Sequence, residues 1–343
     1  MTEFKHIPVM FEECMQALQI KDNGIYFDGT LGGGGHSYGI LTRSAPNGKL
    51  VATDLDTYAI GRASQRLSEF QGRFTLVNDN FKNFSQIKED LGIEKFDGIL
   101  LDLGVSSFQL DDRERGFSYL AKDVVLDMRM DRNNPLTAEQ VVNEYSEKDL
   151  KQILSEYGEE RFAGSIAKNI VNYRKTKRLE KVGELINIIE KSIPAKFLHD
   201  GHPAKRTFQA LRIEVNGELD GLYDTVINMA RALKKDGRIA ILTFHSLEDR
   251  IVKRAFKELE CDCICDKSLP ICVCGKKKEI EIITKHPITA SEDELKANNR
   301  AKSAKLRIAQ KIWLIAHLER GERYDNNKAF NRVYKLFLWT SNF

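Results

Sequence analysis

The chain has 343 residues, of which 42% are hydrophobic and 30% charged, and its formal net charge is +3. This is the composition of a soluble globular protein with room for one large domain carrying an insertion, or for two domains. No apolar run reaches the ~18–20 residues that a membrane span requires, and the first residues lack the form of a signal peptide, so we expect a cytoplasmic protein without membrane contact.

The first hundred residues alternate between predicted strands and predicted helices, as a parallel, doubly wound α/β sheet requires. The predicted strands are 24–29, 49–54, 73–77 and 96–104, and the predicted helices are 36–45, 57–69 and one that ends at Leu91. The apolar run of the fourth strand is continuous, which is typical of a strand covered on both faces.

The alternation stops at about residue 111, and the chain from there to residue 215 is polar and favours helix. We therefore predict that 111–215 is a helical domain inserted into an α/β domain. The α/β domain would consist of 1–110 and 216–312. Residues 313–343 would be a C-terminal extension, to which the sequence assigns no role.

The sheet is predicted to resume after the insertion. A helix at 219–233 and a turn at Asp236-Gly237 lead into an apolar strand at 238–244. Two later apolar runs, at 280–283 and 304–308, could complete the sheet.

The segment between the first strand and the first helix, residues 28–36, reads Asp-Gly-Thr-Leu-Gly-Gly-Gly-Gly-His. Its four consecutive glycines let the backbone adopt positive φ and bring N–H groups close to a ligand. Asp54 follows the second strand about 20 residues on, where open α/β sheets place the carboxylate that holds a ribose diol. Because the dinucleotide spacing G-x-G-x-x-G is absent, S-adenosylmethionine fits this pattern better than NAD.

Asp102 ends the fourth predicted strand, at the carboxyl edge where open α/β sheets bind ligands. An exocyclic amine of a nucleobase is a poor nucleophile, because its lone pair is delocalised into the ring. A hydrogen-bond acceptor on its N–H lets the nitrogen pyramidalise and offsets the developing positive charge. We predict that Asp102 is the catalytic acceptor in such a methyl transfer. The alternative is that it only caps the turn that follows.

Basic residues are concentrated in two segments. Residues 161–215 hold twelve Lys and Arg against five Asp and Glu, and residues 296–343 hold eleven against three. This distribution indicates a polyanionic partner, most simply a nucleic acid. The stretch from Gly201 to Gln209 mixes the residue types that grip an RNA backbone and stack an unpaired base. The candidates there are His202, Lys205, Arg206 and Phe208; the alternative is a helix start with a solvated basic face.

Five of the six cysteines lie close together in the sequence: Cys261, Cys263, Cys265, Cys272 and Cys274. C-x-C repeats across a short loop can bind zinc, although C-x₂-C is the commoner spacing. The sequence leaves a zinc site and a surface thiol cluster both open. We assign the segment no metal and no catalytic role.

Several groups of residues, in collinear order, match one known family. They are Asp28-Gly29-Thr30, Gly34-Gly35-His36-Ser37, Leu100–Ser107, Gln109-Leu110-Asp111, Arg115–Ser118, Asp127–Asp131, Tyr157–Ala163, Arg206–Ile213, Val215-Asn216 and Phe244–Arg250. Over about residues 4–312 the chain resembles the bacterial 16S ribosomal RNA (cytosine-N4)-methyltransferase family, whose members are also called MraW-like.

The resemblance implies a class I, Rossmann-like methyltransferase sheet with an inserted helical substrate-recognition domain. It also implies S-adenosylmethionine as the cofactor and methylation of the N4 of a cytosine in the decoding region of 16S rRNA. The family's cofactor contacts fall on Gly34, Gly35, His36, Asp54, Phe81, Asp102 and Gln109.

Three of the site assignments have structural alternatives. Phe81 could be a core residue, and His36 could cap the first helix. His245 ends the fifth strand and faces the same cleft. It could contact the substrate, or it could belong to a helix start capped by Ser246 with Asp249.

Two rival functions share part of this pattern. A DNA amino-methyltransferase would need the same cofactor loop, but such enzymes usually carry a proline-rich corner where this chain has Asp102–Ser107. A non-catalytic, adenosyl-binding RNA protein would explain the basic insertion but gives no reason for Asp102. The sequence leaves open whether free rRNA or the small ribosomal subunit is the partner, and whether the chain forms a homodimer.

Overall fold

The computed structural model of the chain describes residues 8–198, 201–266 and 273–312. Its sheet consists of β1 (Ile25–Asp28), β2 (Lys49–Thr53), β3 (Phe74–Val77), β4 (Phe96–Asp102), β5 (Leu233–Thr243), β6 (Ile280–Ile282) and β7 (Lys305–Lys311). The strands lie in the order β3-β2-β1-β4-β5-β7-β6. Strands β1 to β5 are parallel, whereas β7 is antiparallel to both β5 and β6. The fold is the predicted α/β class, with a Rossmann-like sheet.

The helices are α1 (Phe11–Leu18), α2 (Gly35–Arg43), α3 (Thr57–Arg66), α4 (Phe84–Asp90), α5 (Ser107–Asp111), α6 (Ala138–Glu144), α7 (Glu147–Glu156), α8 (Ala163–Arg174), α9 (Val182–Ser192), α10 (Lys205–Asn216), α11 (Leu222–Arg231), α12 (Ser246–Glu260) and α13 (Glu292–Ala297). None of the helices in the described ranges combines the length and the apolarity needed to cross a membrane.

Both faces of the sheet are covered, as the continuous apolar run of β4 predicts. Leu100 points into a core that includes residues of α1, α2 and α3. Its neighbours Ile99 and Leu101 point to the opposite face, into a core with α4, α11 and α12. Because successive side chains of a strand alternate between faces, a strand buried on both sides needs apolar residues at every position.

A third hydrophobic core is built from residues between Phe117 and Val215. It is formed by the inward faces of α6 to α10, and its members include Val141, Leu154 and Ile170, all completely buried. The inserted helical domain and its boundaries stay a prediction.

The predicted elements agree with the structure in type and differ at their ends. The predicted turn at Asp236-Gly237 lies inside β5, which begins at Leu233 and pairs first with Phe96. The pairing shifts register between Phe96 and Gly98, and Asp236 has a φ of 64°. Asp236 and Gly237 therefore form a local bulge inside β5, where the sequence predicts a turn before the strand. Helix α1 was not among the predicted elements.

Candidate active site

A cavity of about 1390 Å³ opens at the carboxyl ends of β1, β2 and β4. It is larger than the roughly 300–1,000 Å³ of an ordinary small-molecule pocket, so it has room for a cofactor together with a second group. Its wall includes the glycine loop after β1, the loop after β4, and residues of α10. This is the edge at which parallel α/β sheets bind ligands.

The glycine loop is held by a buried carboxyl group. Asp28 Oδ2 accepts a hydrogen bond from Ser37 Oγ (2.7 Å), and its Oδ1 accepts one from the backbone N–H of Thr30 (3.1 Å). Burial raises the pKa of Asp28 to about 6, against the effect of these donors. Thr30 Oγ1 accepts from the backbone N–H of Asp102 (2.6 Å), which ties the loop to the end of β4.

The loop glycines serve packing as well as access to a ligand. A Cβ on Gly29 would lie 2.3 Å from Leu101 Cδ2, and one on Gly35 would lie 2.3 Å from Pro8 Cγ. Gly35 also lines the cavity. Gly34 does not: it donates its N–H to Leu31 O (2.8 Å), and its Cα faces α3 with a φ of 72°. The predicted cofactor contact of Gly34 stays a prediction, and the structure gives this glycine a packing role.

Asp54 lies at the cavity wall, directly after β2. Its Oδ2 accepts from the backbone N–H of Gly32 (2.8 Å), and its Oδ1 accepts from that of Asp56 (2.9 Å). Burial raises the pKa of Asp54, and these two donors counteract the increase. Because an ionised carboxylate can accept about four hydrogen bonds, Asp54 keeps capacity for a ligand diol.

Asp102 lies at the centre of the cavity wall with one oxygen that makes no hydrogen bond. Its Oδ1 is buried and has no partner among the described residues. Its Oδ2 lies 3.8 Å from His36 Nδ1. Burial and the charges of Asp28 and Glu248 raise the pKa of Asp102 to about 8. A buried polar oxygen left without a hydrogen-bond partner is costly, and it indicates that a ligand completes the site.

His36 is buried beside Asp102 and lines the cavity. Its Nε2 lies 3.2 Å from the carbonyl of Val9, and its ring stacks on Phe11 with the ring centroids 6.1 Å apart. Since a carbonyl only accepts, Nε2 carries a proton and donates it to Val9, and Nδ1 is the ring nitrogen on the side of Asp102. The side chain is thus oriented by the segment before α1, which the sequence does not predict.

Phe81 and Gln109 both line the cavity, and both have structural partners. Phe81 follows β3 and is partly buried against the core that contains α4, α11 and α12. Its side chain can therefore be part of this core and still contact a cofactor in the cavity. Gln109 forms a capping box with Ser106: its Oε1 accepts from the Ser106 N–H (3.0 Å), and its own N–H donates to Ser106 Oγ. A cofactor contact of Gln109 would therefore use its Nε2 group.

The candidate substrate residues of the insertion separate into two groups. Lys205 and Phe208 line the cavity, but Phe208 is only 4% exposed and belongs to the insertion core. His202 and Arg206 do not line it. His202 stacks on Tyr119 with ring centroids 4.1 Å apart, and Arg206 donates to the carbonyl of Glu159 (3.3 Å). The substrate contact of Phe208 stays a prediction, and its burial gives this side chain a packing role in the insertion core.

Tyr119 is a cavity residue that the sequence reasoning missed. Its ring contacts His202 face to face and Phe208 edge to face (5.9 Å). The sequence feature that could have identified Tyr119 is its position directly after the matched group Arg115–Ser118.

His245 caps α12, and the capping partner differs from the predicted one. Its Nδ1 accepts from the backbone N–H of Glu248 (3.5 Å), and Glu248 Oε2 accepts from the N–H groups of Phe244 (2.9 Å) and His245. The alternative capping pair, Ser246 with Asp249, does not form. Asp249 instead binds Arg307, and Ser246 donates to Glu159. His245 nevertheless lines the cavity, as predicted.

The sequence analysis also did not predict an ion pair on the cavity wall. Arg212 makes a bidentate ion pair with Glu218 (2.7 and 2.8 Å), and both residues line the cavity. Burial tends to raise the pKa of Glu248, but the His245 hydrogen bond and the charges of His245 and Arg212 hold it below the ordinary value. The negative charge of Glu248 is one of the causes that raise the pKa of Asp102.

The clustered cysteines that the structure describes lie outside this cavity. Cys263, Cys265 and Cys274 come together in the connection between α12 and β6, and Cys261 lies beside them. Cys272 and residues 313–343 lie outside the described residues.

Comparison with known proteins gives one consistent family. The model of the MraW methylase family matches residues 3–312. The ribosomal RNA small subunit methyltransferase H of Clostridium botulinum (strain Kyoto / Type A2) is 54% identical over 310 residues, which cover 90% of this chain and 100% of that protein. The ribosomal RNA small subunit methyltransferase H 2 of Agathobacter rectalis is 52% identical, with 90% and 99% covered. A solved rRNA methylase from Streptococcus thermophilus is 12% identical, covers 90% of this chain and 99% of its own, and has a TM-score of 0.38.

Proposed function

This chain belongs to the MraW methylase family, and from its site we propose that it transfers a methyl group from S-adenosylmethionine to the exocyclic N4 of a cytosine in the decoding region of 16S rRNA. The observation that carries the proposal is the buried Asp102 Oδ1, which has no hydrogen-bond partner among the described residues. An acceptor held at this edge of the sheet, beside a glycine loop and Asp54, is what methylation of a nucleobase amine requires.

The cavity residues fit the cofactor that the family implies. The glycine loop admits close approach of a ligand, Asp54 keeps acceptor capacity for a ribose diol, and Phe81 offers an apolar face beside them. When bound, S-adenosylmethionine supplies an electrophilic methyl group on a positively charged sulfur. Gly35, His36 and Gln109 complete the wall on which we place the cofactor.

Asp102 has two tasks in this mechanism. Its Oδ1 accepts a hydrogen bond from the target amine, which localises the nitrogen lone pair and orients it for attack. It then offsets the positive charge that appears on the nitrogen and takes up the proton released there. In the ligand-free protein the pKa of Asp102 is raised to about 8, so Asp102 can act as this acceptor at neutral pH only once the cationic sulfur of the bound cofactor favours the carboxylate.

The affinity for S-adenosylmethionine should rise with pH. Without a ligand, Asp102 holds its proton below a pH of about 8 because its pKa is raised. The cationic sulfur favours the carboxylate, so binding at pH 7 should release a proton, and affinity should increase between pH 6.5 and pH 9. Calorimetry in two buffers of different ionisation enthalpy measures the released proton. S-adenosylhomocysteine lacks the cationic sulfur and is the matched control; an equal pH dependence for both ligands would contradict the assignment.

Three substrates separate this function from its rivals. Transfer of labelled methyl from S-adenosylmethionine to small ribosomal subunits, to protein-free 16S rRNA and to DNA can be compared in parallel. We expect label on the N4 of one cytosine of the ribosomal substrates and none on DNA. Transfer to DNA alone would favour the DNA amino-methyltransferase, and cofactor binding without transfer would favour a non-catalytic RNA-binding protein.

Residues 111–215 are proposed to hold the RNA, because Lys205 brings a cation of the insertion to the cavity wall and Arg206 is exposed beside it. Reversing both charges (Lys205→Glu with Arg206→Glu) should weaken binding of the small subunit. It should also reduce the slope of log affinity against log salt by about 2, since about one counterion is released for each phosphate contact.

The matched control is Lys148→Glu with Lys151→Glu, which makes the same charge change at exposed positions of α7 away from the cavity wall. This control should lose less RNA affinity than the test pair. Affinity for S-adenosylmethionine should be unchanged in both variants. If the test pair loses cofactor affinity as strongly as RNA affinity, the proposed division of labour between insertion and sheet is wrong.

A further inference from the structure

Three cysteine sulfurs converge in the connection between α12 and β6. The Sγ atoms of Cys263, Cys265 and Cys274 all lie within 4.8 Å of one another, and those of Cys263 and Cys274 are 3.9 Å apart. Thiolates bound to a tetrahedral zinc ion at about 2.3 Å are roughly 3.8 Å apart. The three sulfurs therefore already have nearly the separation that a shared zinc ion imposes.

Each of the three sulfurs also accepts a backbone hydrogen bond. The N–H of Cys265 points to Cys263 Sγ, that of Val273 to Cys265 Sγ, and that of Ile264 to Cys274 Sγ, each at 3.4 Å. A thiol sulfur is a weak acceptor, whereas a thiolate gains substantially from an N–H donor. The backbone is thus arranged to stabilise negative charge on all three sulfurs.

A disulfide explains this arrangement poorly. A disulfide needs its sulfurs about 2.05 Å apart and joins only two of them, and it needs no N–H donors. Immediately after Cys274, Gly275 turns the chain with a φ of 63°, and Lys276, Lys277 and Lys278 follow.

The cysteine cluster lies in a connection whose two ends are held close together. At the base of the connection, the N–H of Glu279 donates to the carbonyl of Leu259 (2.8 Å), which brings the end of α12 beside the start of β6. Glu279 also pairs with Arg231 and Lys311. None of the described cysteines of the connection lines the active-site cavity.

We propose that Cys263, Cys265 and Cys274 supply three of the ligands of a zinc ion, which ties residues 263–265 to Cys274. Zinc is favoured because it prefers soft thiolate ligands in tetrahedral geometry and undergoes no redox change. The role is structural, so metal binding should stabilise the protein without contributing to the affinity for the methyl donor. The proposal does not depend on the RNA substrate assigned above.

The first test is the metal content of the full chain, purified under reducing conditions from cells supplied with zinc. We expect about one zinc ion per chain. The variants Cys263→Ser and Cys265→Ser should each lose it. The matched control is Cys14→Ala, which removes a thiol buried in α1 and should retain the metal. A wild-type protein without zinc, or variants that keep a full equivalent, would overturn the proposal.

The second test uses the wild-type chain alone, so it does not depend on the folding of variants. The metal-free protein is treated with a thiol-alkylating reagent with and without added zinc, and the modified cysteines are mapped by mass spectrometry. Zinc should slow modification of Cys263, Cys265 and Cys274 by at least about ten-fold, because a metal-bound thiolate is a poor nucleophile. Cobalt substituted for zinc should give intense thiolate-to-metal charge-transfer absorption. Unchanged alkylation together with no such absorption would overturn the proposal.

Discussion

Replacing Asp102 by asparagine is expected to lower the single-turnover rate of methyl transfer by ~10²–10³-fold while the fold is preserved. The amide keeps the shape and one acceptor oxygen, but it can neither carry the negative charge nor take up the proton of the target amine. The stabilised charge appears only as the methyl group moves. The loss should therefore appear in the rate at saturating cofactor and subunit more than in RNA affinity.

The measurement is a single-turnover assay with wild-type protein, Asp102→Asn and the control Asp111→Asn. Asp111 also lines the cavity, but it is half exposed and pairs with Arg300 at the surface, so its substitution should change the rate only slightly. Some loss of cofactor affinity is expected for Asp102→Asn, since the proposed site places the carboxylate against the methyl donor. A near wild-type rate would reduce Asp102 to a binding residue and shift the catalytic role to the neighbouring backbone carbonyls or to His245.

Replacing Asp54 by alanine is expected to weaken the binding of S-adenosylmethionine by ~2–4 kcal/mol, the value of hydrogen bonds to a charged group. This corresponds to a roughly 30- to 1,000-fold increase in Kd, which calorimetry can measure. Unchanged affinity would rule out Asp54 as the ribose acceptor. The structure adds a complication, because Asp54 also accepts from Gly32 and its loss would loosen the glycine loop.

A double-mutant cycle separates the direct contact from the loosened loop. Wild-type protein and Asp54→Ala are each titrated with S-adenosylhomocysteine and with an analogue that lacks the ribose hydroxyls. If Asp54 binds the diol, the analogue should bind more weakly to the wild type, and the two ligands should bind about equally to the variant. Additive losses would mean that Asp54 acts only through the loop.

The sequence predicts the sheet well because β4 and its neighbours obey simple rules. Parallel strands buried on both faces must be apolar throughout, and their carboxyl ends must meet at one edge. These two constraints place Asp54 and Asp102 in a single cavity before any coordinates are known. These rules fail at the bulge around Asp236. An Asp-Gly pair can form a bulge inside a strand as well as a turn between two elements, so the sequence alone does not distinguish the two.

The protonation state of Asp102 could not be predicted from the sequence. It depends on burial and on Asp28 and Glu248, two acidic residues far from Asp102 in sequence. The capping of α12 by His245 escaped prediction for a related reason. Histidine is an uncommon N-cap residue, so the pattern rules favour the serine that follows it.

The buried guanidinium of Arg115 joins two parts of the chain with different proposed ligands. It donates to Asp56 Oδ2 (3.1 Å), the N-cap of α3 two residues after Asp54, and to the carbonyls of Arg129 (2.7 Å) and Met130 (3.0 Å) in the insertion. Any ligand that shifts Arg129 and Met130 therefore also acts on the start of α3. By thermodynamic reciprocity, the factor by which bound RNA changes cofactor affinity must equal the factor by which the cofactor changes RNA affinity. The concentrations of cofactor and RNA in the cell would then decide which of them binds first. Whichever binds first would change the affinity of the protein for the other by the same factor.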